Sequence, residues 1–251
     1  MNATAKKSLN EQIADVMSMN ASNATKRIEL LKLGIDPIEA HILLTTKAWQ
    51  GSSFDFNRLT YGIEIEAYNI VRANLIEKGT RKGLSVRSEG YNHSDNQHYY
   101  KIVSDSSLVG NGTNEVVSPI LTGNDGLNSL QRLCEALNEI GAKVNKSCGL
   151  HVHIGAANMT DAHYIRIIRN YQRLERIIDS FMPLSRRANN NGFCRSLQAF
   201  DFSRCMTKRD VYDLMNSRYY KINGHAYIRH QTIEFRQHSG MYTLIEKCTT
   251  F

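Results

Sequence analysis

The sequence has few features of a membrane-spanning or secreted protein. No apolar run among the 251 residues approaches the roughly 20 residues that span a bilayer. Early lysines occur between Met1 and Ser18 without an apolar stretch behind them, so we expect neither a signal peptide nor a transmembrane helix. The five cysteines form no Cys-x-x-Cys motif, and an odd number cannot close a complete set of disulfides. We therefore expect a cytoplasmic protein with reduced cysteines.

Other common features are absent as well. The chain contains no internal repeat, no low-complexity tract and no recognised nucleic-acid-binding motif. Hydrophobic residues make up 41% and charged residues 22% of it, which is the composition of a folded globular protein. Repeat architectures and intrinsic disorder are therefore excluded.

The net charge of +7 is concentrated in one span. Residues 160–236 contain 14 Lys and Arg against 7 Asp and Glu, whereas the rest of the chain contains 17 of each. Most of these cations are arginines, whose planar guanidinium suits recognition of phosphate or carboxylate groups. A solvated helix face would have the same composition. Charge alone would also fit nucleic acid, but because no motif supports it, we expect no nucleic-acid partner and no membrane partner.

Three short segments each carry two polar residues separated by one bulky apolar residue. In a β-strand, residues two apart point to the same face, so the apolar Ile65, Val152 and Phe235 would pack into a core on the other face. The pattern predicts three strands of one sheet whose opposite face forms a site. The polar pairs are Glu64 and Glu66, His151 and His153, and Glu234 and Arg236.

Alternation by itself is also the default of an antiparallel sheet with one solvated face. The composition of the pairs favours a site, since three carboxylates, two imidazoles and a guanidinium are ligands for metal ions and phosphate. Two carboxylates about 4 Å apart repel each other by roughly 4 kcal/mol at an effective dielectric constant of about 20. A cation would be needed to hold them together.

Residues 1–50 are predicted to form a short helical appendage, followed by a boundary near residues 51–57. The predicted helices span Leu9–Met19, Asn23–Leu33 and Pro37–Thr46, with Asn23 and Asp36 as N-terminal caps of the second and third. No motif assigns this appendage a role.

Residues 51–251 are predicted to form one α+β domain with a mainly antiparallel sheet. Leu127, Leu130, Cys134 and Leu137 form the expected buried stripe of one helix, and residues 185–205 form a long arginine-containing loop of the kind that often binds ligands. The predicted helices are Asn69–Lys78, Asp125–Gly141, Thr160–Met182 and Lys208–Asn216. Further strands are predicted at Leu84–Ser88, Tyr99–Ser104 and Glu115–Pro119, the last two joined by a glycine turn.

Five motifs in a fixed order resemble the amidoligase family, which belongs to the carboxylate-amine ligases related to glutamine synthetase and glutamate-cysteine ligase. The similarity covers roughly Phe56 to Gly240 and leaves the N-terminal helices outside. Each motif alone is weakly specific, whereas the ordered set is more so. The motifs are Gly62–Glu66, Asp105-x-Ser107, Glu115–Pro119, Cys148–His153 and Thr232–Arg236.

The resemblance implies a curved, mainly antiparallel sheet of the glutamine synthetase-like catalytic type, with helices packed on one face. It also implies an ATP-dependent ligase that forms an amide or isopeptide bond through an acyl phosphate, with ATP and Mg²⁺ or Mn²⁺ as cofactors. Its partners would be a carboxylate and an amine substrate, including a peptide, a protein or an amino-acid derivative.

The same resemblance implies roles for individual residues. Glu64, Glu66, Glu115, His151 and Glu234 match metal ligands, and His153 matches the residue that faces the nucleotide. Arg236 matches the arginine that stabilises the transferring phosphate, and Glu234 and Asp105 join it as catalytic residues. Arg218, Arg236 and His153 are expected to bind the nucleotide. Asn223 lies in a motif-like position to which the resemblance assigns a role only loosely.

The chain departs from the family at its end. Phe251 follows Arg236 by only fifteen residues, and Met241 replaces an expected threonine. We therefore expect a catalytic domain truncated at its C-terminus.

Two alternatives to the ligase stay open at this point. A metal-dependent hydrolase would use His151, His153 and one carboxylate to hold a single ion that activates water. A catalytically inactive binding module would use the arginine-rich span to bind an acidic partner.

Overall fold

The computed structural model describes residues 7–35, 37, 40, 44, 56–90 and 98–240. The chain separates into two compact units, Met1–Phe54 and Asp55–Phe251. Among the described residues, no helix is long and apolar enough to cross a membrane.

The first unit contains helices α1 (Leu9–Ser18) and α2 (Asn23–Lys32). The N-terminus of α1 is closed by a capping box in which the Ser8 hydroxyl accepts from the Glu11 amide and the Glu11 carboxylate accepts from the Ser8 amide. Ser22, rather than the predicted Asn23, caps α2. Most of the predicted third helix, 37–46, lies outside the described residues. The buried apolar residues of this unit are Ile13, Val16, Leu30, Ile35 and Ala40.

The second unit is built on an open, mostly antiparallel sheet of eight strands. Its order is β2-β3-β4-β1-β6-β8-β7, with β5 pairing the start of β1, and only β2 and β3 run parallel. The strands are β1 (Thr60–Ala67), β2 (Val86–Ser88), β3 (Tyr100–Val103), β4 (Asn114–Val117), β5 (Leu121–Thr122), β6 (Gly149–Gly155), β7 (Ile222–Asn223) and β8 (Thr232–Ser239). The fold is therefore mixed α/β, and the three predicted site strands β1, β6 and β8 are neighbours.

Five helices of this unit are described, together with three single turns of 3-10 helix. Helix α3 begins at Arg72 rather than the predicted Asn69, because Asn69 has a left-handed backbone (φ 62°) and its amide bonds to Asn111 O. The helices are α3 (Arg72–Arg81), α4 (Gly123–Glu139), α5 (Asp161–Phe181), α6 (Lys208–Leu214) and α7 (Ala226–His230). The 3-10 turns are Phe56–Arg58, Leu184–Arg186 and Phe202–Arg204, the last two within the predicted loop.

The apolar face of the sheet packs against helices in two clusters. In one cluster, Ile65 and Val116 lie with Leu75 of α3 and Leu133 and Leu137 of α4. The other joins α5 to the far end of the sheet, through residues that include Tyr164, Ile168, Ile222 and Ile233. The predicted stripe of α4 is partly wrong, since Leu127 is 45% exposed and Leu133 takes the buried position.

A buried polar network ties α5 to β7 and β8 beneath the site. The ammonium of Lys221 is fully buried and donates to Glu175 Oε1 at 2.8 Å and to Asp179 Oδ1 at 2.6 Å. The Gln237 side-chain amide donates to the same Asp179 oxygen and to the carbonyl of Arg186. Each buried charge is thus paired, as low-dielectric surroundings require.

Candidate functional site

Strand register brings the polar pairs together on the face opposite the helices. Glu64 of β1 lies directly across from His151 of β6, and His153 lies across from Glu234 of β8. Glu66 lies across from Glu115 of β4. Because residues two apart share a face, these cross-strand neighbours form one continuous polar surface over four strands.

A β-bulge in β8 sets the direction of Arg236. Leu150 pairs with His238 and Val152 pairs with Phe235, so Arg236 and Gln237 together lie opposite His151. The extra residue lets Arg236 face the site while Gln237 reaches Asp179 in the network below.

Glu64 and Glu234 are held between two histidines and one arginine. The Nδ1 atom of His151 lies 2.8 Å from Glu64 Oε2, and the Nε2 atom of His153 lies 3.3 Å from Glu64 Oε1. Arg236 donates to Glu234 Oε1, and Asn223 donates to Glu234 Oε2. His153 Nδ1 lies 2.9 Å from the Thr232 hydroxyl, whereas its buried Nε2 has no hydrogen-bond partner of good geometry.

Three further carboxylates crowd at the other end of the surface. Oxygens of Glu66, Asp105 and Glu115 lie within 4.8 Å of one another. The backbone amide of Gly149 donates to Glu66 Oε2, and the Ser107 amide donates to Asp105 Oδ1 at 2.7 Å. The Asp105 loop therefore completes an acidic group that the strands alone do not supply.

The crowding shifts the pKa values of these acids in opposite directions. Burial and then the charges of Glu64, Glu66 and Asp105 raise the pKa of Glu115 well above its usual value. Burial by itself also raises the pKa of Glu64, but hydrogen bonds from His151 and His153 lower it well below its usual value. The pKa of Glu115 therefore lies above that of Glu64.

The part of the site around Glu234 contains cationic side chains. Burial lowers the pKa of His153, but the charges of Glu234 and Glu64 outweigh burial and raise it to about 9. Although burial opposes ionisation of Glu234, the Arg236 charge lowers its pKa, and the Glu234 charge raises the pKa of Arg236 against the effect of burial. Two cations therefore flank the buried Glu234 carboxylate.

Among the described residues, three overlapping groups of side chains could hold cations. They are Glu64, His153 and Glu234; Glu64, Glu115 and His151; and Glu66, Asp105 and Glu115, with the ligand atoms of each group within 4.8 Å of one another. Carboxylate oxygens outnumber imidazole nitrogens, which favours Mg²⁺ or Mn²⁺ over a structural zinc. The raised pKa of Glu115 is consistent with a site that binds a cation.

A cavity of about 480 Å³ opens over this surface. Its acidic floor comes from β1, β4, β8 and the Asp105 loop, and its other wall comes from the segments at 186–193 and 212–230. That wall contributes Arg186, Arg218 and Arg229, while Arg236 lies beside the floor. An anion between floor and wall would contact cations on both sides once metal ions covered the floor.

A second, smaller cavity of about 210 Å³ shares Glu64, Glu115 and His153 with the first. Apolar residues line much of it, from Ile63, Val117 and Pro119 to Ile120. The buried Lys101 of β3 also lines it. The two cavities therefore meet over the acidic floor.

The structure brings every predicted site residue into this region. Glu64, Glu66, Glu115, His151, His153, Glu234, Arg236, Asp105, Arg218 and Asn223 all line the larger cavity. Arg218 lies on its wall, with its guanidinium 5.1 Å from the ring centre of Tyr219. The assigned roles of these residues remain predictions.

Sequence patterns did not identify two further contributors. Arg186 is 3% exposed and lines the larger cavity. In the sequence it is one of several arginines in the same loop, and no pattern separates it from the others. The backbone amide of Gly149 donates to Glu66. The sequence marked Gly149 only by its place at the start of the His-x-His strand.

The comparison with family models gives one match. A model described as "Putative amidoligase enzyme" matches residues 57–244, about three quarters of the chain. No curated protein and no solved structure matches.

Proposed function

Because this chain belongs to the amidoligase family, we propose that it is an ATP-dependent ligase that joins a carboxylate to an amine. The observation that carries the proposal is a single cavity with five carboxylates and two histidines on its floor and arginines beside and opposite them. Such an arrangement suits a polyphosphate held between metal ions and guanidinium groups.

The proposed chemistry follows from the energetics of amide formation. Condensing a carboxylate with an amine is unfavourable in water, so the carboxylate is first activated. One of its oxygens attacks the γ-phosphorus of ATP, the bond to the ADP oxygen breaks, and an acyl phosphate forms. The amine then attacks the acyl carbon, inorganic phosphate leaves, and the nitrogen loses a proton to give the amide or isopeptide bond.

Glu64, Glu66, Glu115, His151 and Glu234 would hold Mg²⁺ or Mn²⁺. Such ions, when bound, neutralise phosphate charge and orient the nucleotide. The hydrogen bonds of Gly149 to Glu66 and of Asn223 to Glu234 fix the directions of two of these carboxylates.

The cationic residues would act on the transferring phosphate. Arg236 is 9% exposed, paired with Glu234 and held by Phe193 O, so its guanidinium is pre-organised to stabilise charge on the phosphoryl group. His153, with its raised pKa, would donate from Nε2 to a phosphate oxygen. Asp105 would orient groups at the acidic end, and Arg218 would contact the nucleotide or the acceptor from the wall.

The carboxylate and amine would belong to a peptide, a protein or an amino-acid derivative. Phe193 and Tyr219, whose ring centres are 5.4 Å apart, lie on the arginine-bearing wall of the cavity. Aromatic and arginine side chains at such positions are common in polypeptide recognition.

Thermal unfolding of the full chain tests the proposal without knowledge of the substrates. Mg²⁺-ATP at about 100 times its dissociation constant adds about 2.7 kcal/mol to the free energy of unfolding, a rise in midpoint of roughly 5 to 10 °C. We expect this rise to need both Mg²⁺ and ATP. It should disappear in Glu64→Gln, which removes a charge shared by two of the candidate cation groups.

Glu77→Gln is the matched control, because Glu77 pairs only with Arg81 on an exposed helix surface. It should keep the full rise. No rise with Mg²⁺-ATP, together with a rise on adding Zn²⁺ alone, would replace the ligase with the metal-dependent hydrolase. No rise with any of these additions would favour the inactive binding module.

A further inference from the structure

Arg186 is a buried cation that forms no ion pair among the described residues. It is 3% exposed, and among the described residues no carboxylate oxygen lies within 4.0 Å of its guanidinium. Its two terminal nitrogens donate to uncharged groups, the carbonyl of Cys148 and the sulfur of Cys194, and its Nε has no hydrogen-bond partner. Arginine cannot lose its proton to relieve such burial.

Two other buried cations of the domain each pair with a carboxylate. Lys221 contacts both Glu175 and Asp179, and Arg236 contacts Glu234. A buried charge without a counter-charge costs several kcal/mol, which is why such pairs form. Arg186 therefore lacks the carboxylate partner that Lys221 and Arg236 possess.

The guanidinium of Arg186 faces the larger cavity and is held there rigidly. Its backbone amide donates to Pro183 O, and its carbonyl accepts from the Gln237 side chain of β8. The tip of Arg186 also approaches the acidic end of the floor, because its NH2 atom and Glu66 Oε2 each lie 3.1 Å from the point that a Cβ at Gly149 would occupy. The NH2 end of the guanidinium thus lies near Glu66, a member of a candidate cation group.

We propose that Arg186 binds an oxyanion of a substrate, a carboxylate or phosphate oxygen that supplies the missing counter-charge. The inference rests on the proposed function for the identity of that substrate. If the oxyanion is a carboxylate, it is a second carboxylate of the substrate, one that does not react. The substrate that accepts the phosphoryl group is then a dicarboxylate, such as an acidic amino acid or the acidic end of a peptide. If it is a phosphate, it belongs to the nucleotide.

Anion binding in Mg²⁺ buffer without nucleotide tests the proposal on the full chain. The probes are glutarate, butyrate and inorganic phosphate at equal ionic strength, and the readout is the dissociation constant from thermal-shift titrations. We expect glutarate or phosphate to bind the wild type more tightly than butyrate. In Arg186→Met that binding should weaken at least about tenfold, as when a hydrogen bond between charged groups is lost.

Arg187→Met is the matched control, since the neighbouring Arg187 donates to the carbonyls of Met182 and Ser180 and does not line the cavity. It should bind as the wild type does. Arg186→Lys keeps the charge without the planar guanidinium and should bind the anions with intermediate affinity. If circular dichroism shows that Arg186→Met does not fold, Arg186→Lys serves as the test.

The outcomes separate the sources of the oxyanion. Loss of glutarate binding alone assigns a second substrate carboxylate, and loss of phosphate binding together with weaker Mg²⁺-ATP binding assigns the nucleotide. The proposal is overturned if the wild type binds neither anion in preference to butyrate, or if the Arg186 variants bind both as the wild type does. Because these titrations contain no ATP, failure of the Mg²⁺-ATP test for the ligase leaves their result intact.

Discussion

At Gly149 the backbone lies close to the side chains of the acidic floor. Its amide donates to Glu66, and a Cβ at this position would lie 2.9 Å from His151 Nε2 and 3.1 Å from both Glu66 Oε2 and Arg186 NH2. The absence of a side chain therefore lets one carboxylate, one imidazole and one guanidinium converge. A glycine in a strand often marks such a close approach.

We expect Gly149→Ala to disturb the site more than the fold. The added methyl group must displace side chains of the floor, so Mg²⁺-ATP affinity should fall at least about tenfold, while overpacking should lower the free energy of unfolding by roughly 1 to 3 kcal/mol. Calorimetric titration and denaturant unfolding measure the two effects.

Gly192→Ala provides the comparison, because a Cβ at Gly192 would meet no atom within 4 Å. It should change neither quantity. Wild-type affinity in Gly149→Ala would show that the floor adapts to the methyl group and that close approach at Gly149 is not required.

At the scale of elements, the polar network under β7 and β8 holds the site strands against α5. Asp179 Oδ1 accepts from Lys221 and Gln237, and Oδ2 accepts from the Ala188 amide at 2.9 Å. One carboxylate thus joins the helix to β7, to β8 and to the loop that carries Arg186. Burial by itself raises the pKa of Asp179, but hydrogen bonds from Lys221 and Ala188 lower it below its usual 3.8.

The lowered pKa gives the stability of the domain a defined dependence on pH. Since the folded-state pKa of Asp179 is below its unfolded value, its contribution is fully present above about pH 4 and is lost as the pH falls through the folded-state pKa. Asp179→Asn should lower the free energy of unfolding by roughly 1.5 to 3 kcal/mol at pH 6. The difference from the wild type should shrink below pH 4 in urea titrations.

Asp213→Asn is the control for this effect. Asp213 pairs with Arg209 at an exposed position, so its replacement should change the free energy of unfolding by less than about 0.5 kcal/mol at either pH. An equal loss for Asp179→Asn at pH 6 and pH 3 would mean that packing, rather than the charge, carries the contribution of Asp179.

At the scale of the whole molecule, the described residues that line the two cavities all belong to the second unit. They lie between Thr60 and Arg236, and that unit has its own apolar clusters on the helical side of the sheet. The first unit has a separate small core. The described site residues therefore come from the second unit.

Deletion of residues 1–54 should leave nucleotide binding intact. Because no side chain of the cavities is removed, we expect Asp55–Phe251 to bind Mg²⁺-ATP within about twofold of the full chain. Titration of both forms, each checked for cooperative unfolding, measures the difference. Loss of binding by a cooperatively folded Asp55–Phe251 would assign the first unit a part in the site.

Much of the second unit could be predicted from its sequence, where the pattern is periodic. The two-residue alternation in β1, β6 and β8 predicted that their polar pairs share a face, and the structure places those strands side by side. The 3.6-residue pattern predicted α5 to within one residue at each end, where Thr160 caps it and Pro183 follows it. In α4 the same pattern wrongly predicted that Leu127 is buried, because the helix has several leucines and only packing determines which of them face the core.

The sequence by itself determined which residue types occupy the polar face, because side-chain direction along a strand follows from backbone geometry alone. Only the tertiary structure decided that Arg186 lines the cavity and how the Asp105 loop, whose motif the sequence showed, reaches the acidic floor. Loops have no periodicity, and their positions depend on contacts between residues far apart in the chain, such as Gln237 with Arg186. The carboxylates on the strands could be predicted from local alternation, whereas the position of Arg186 opposite them depends on how the chain returns to the sheet.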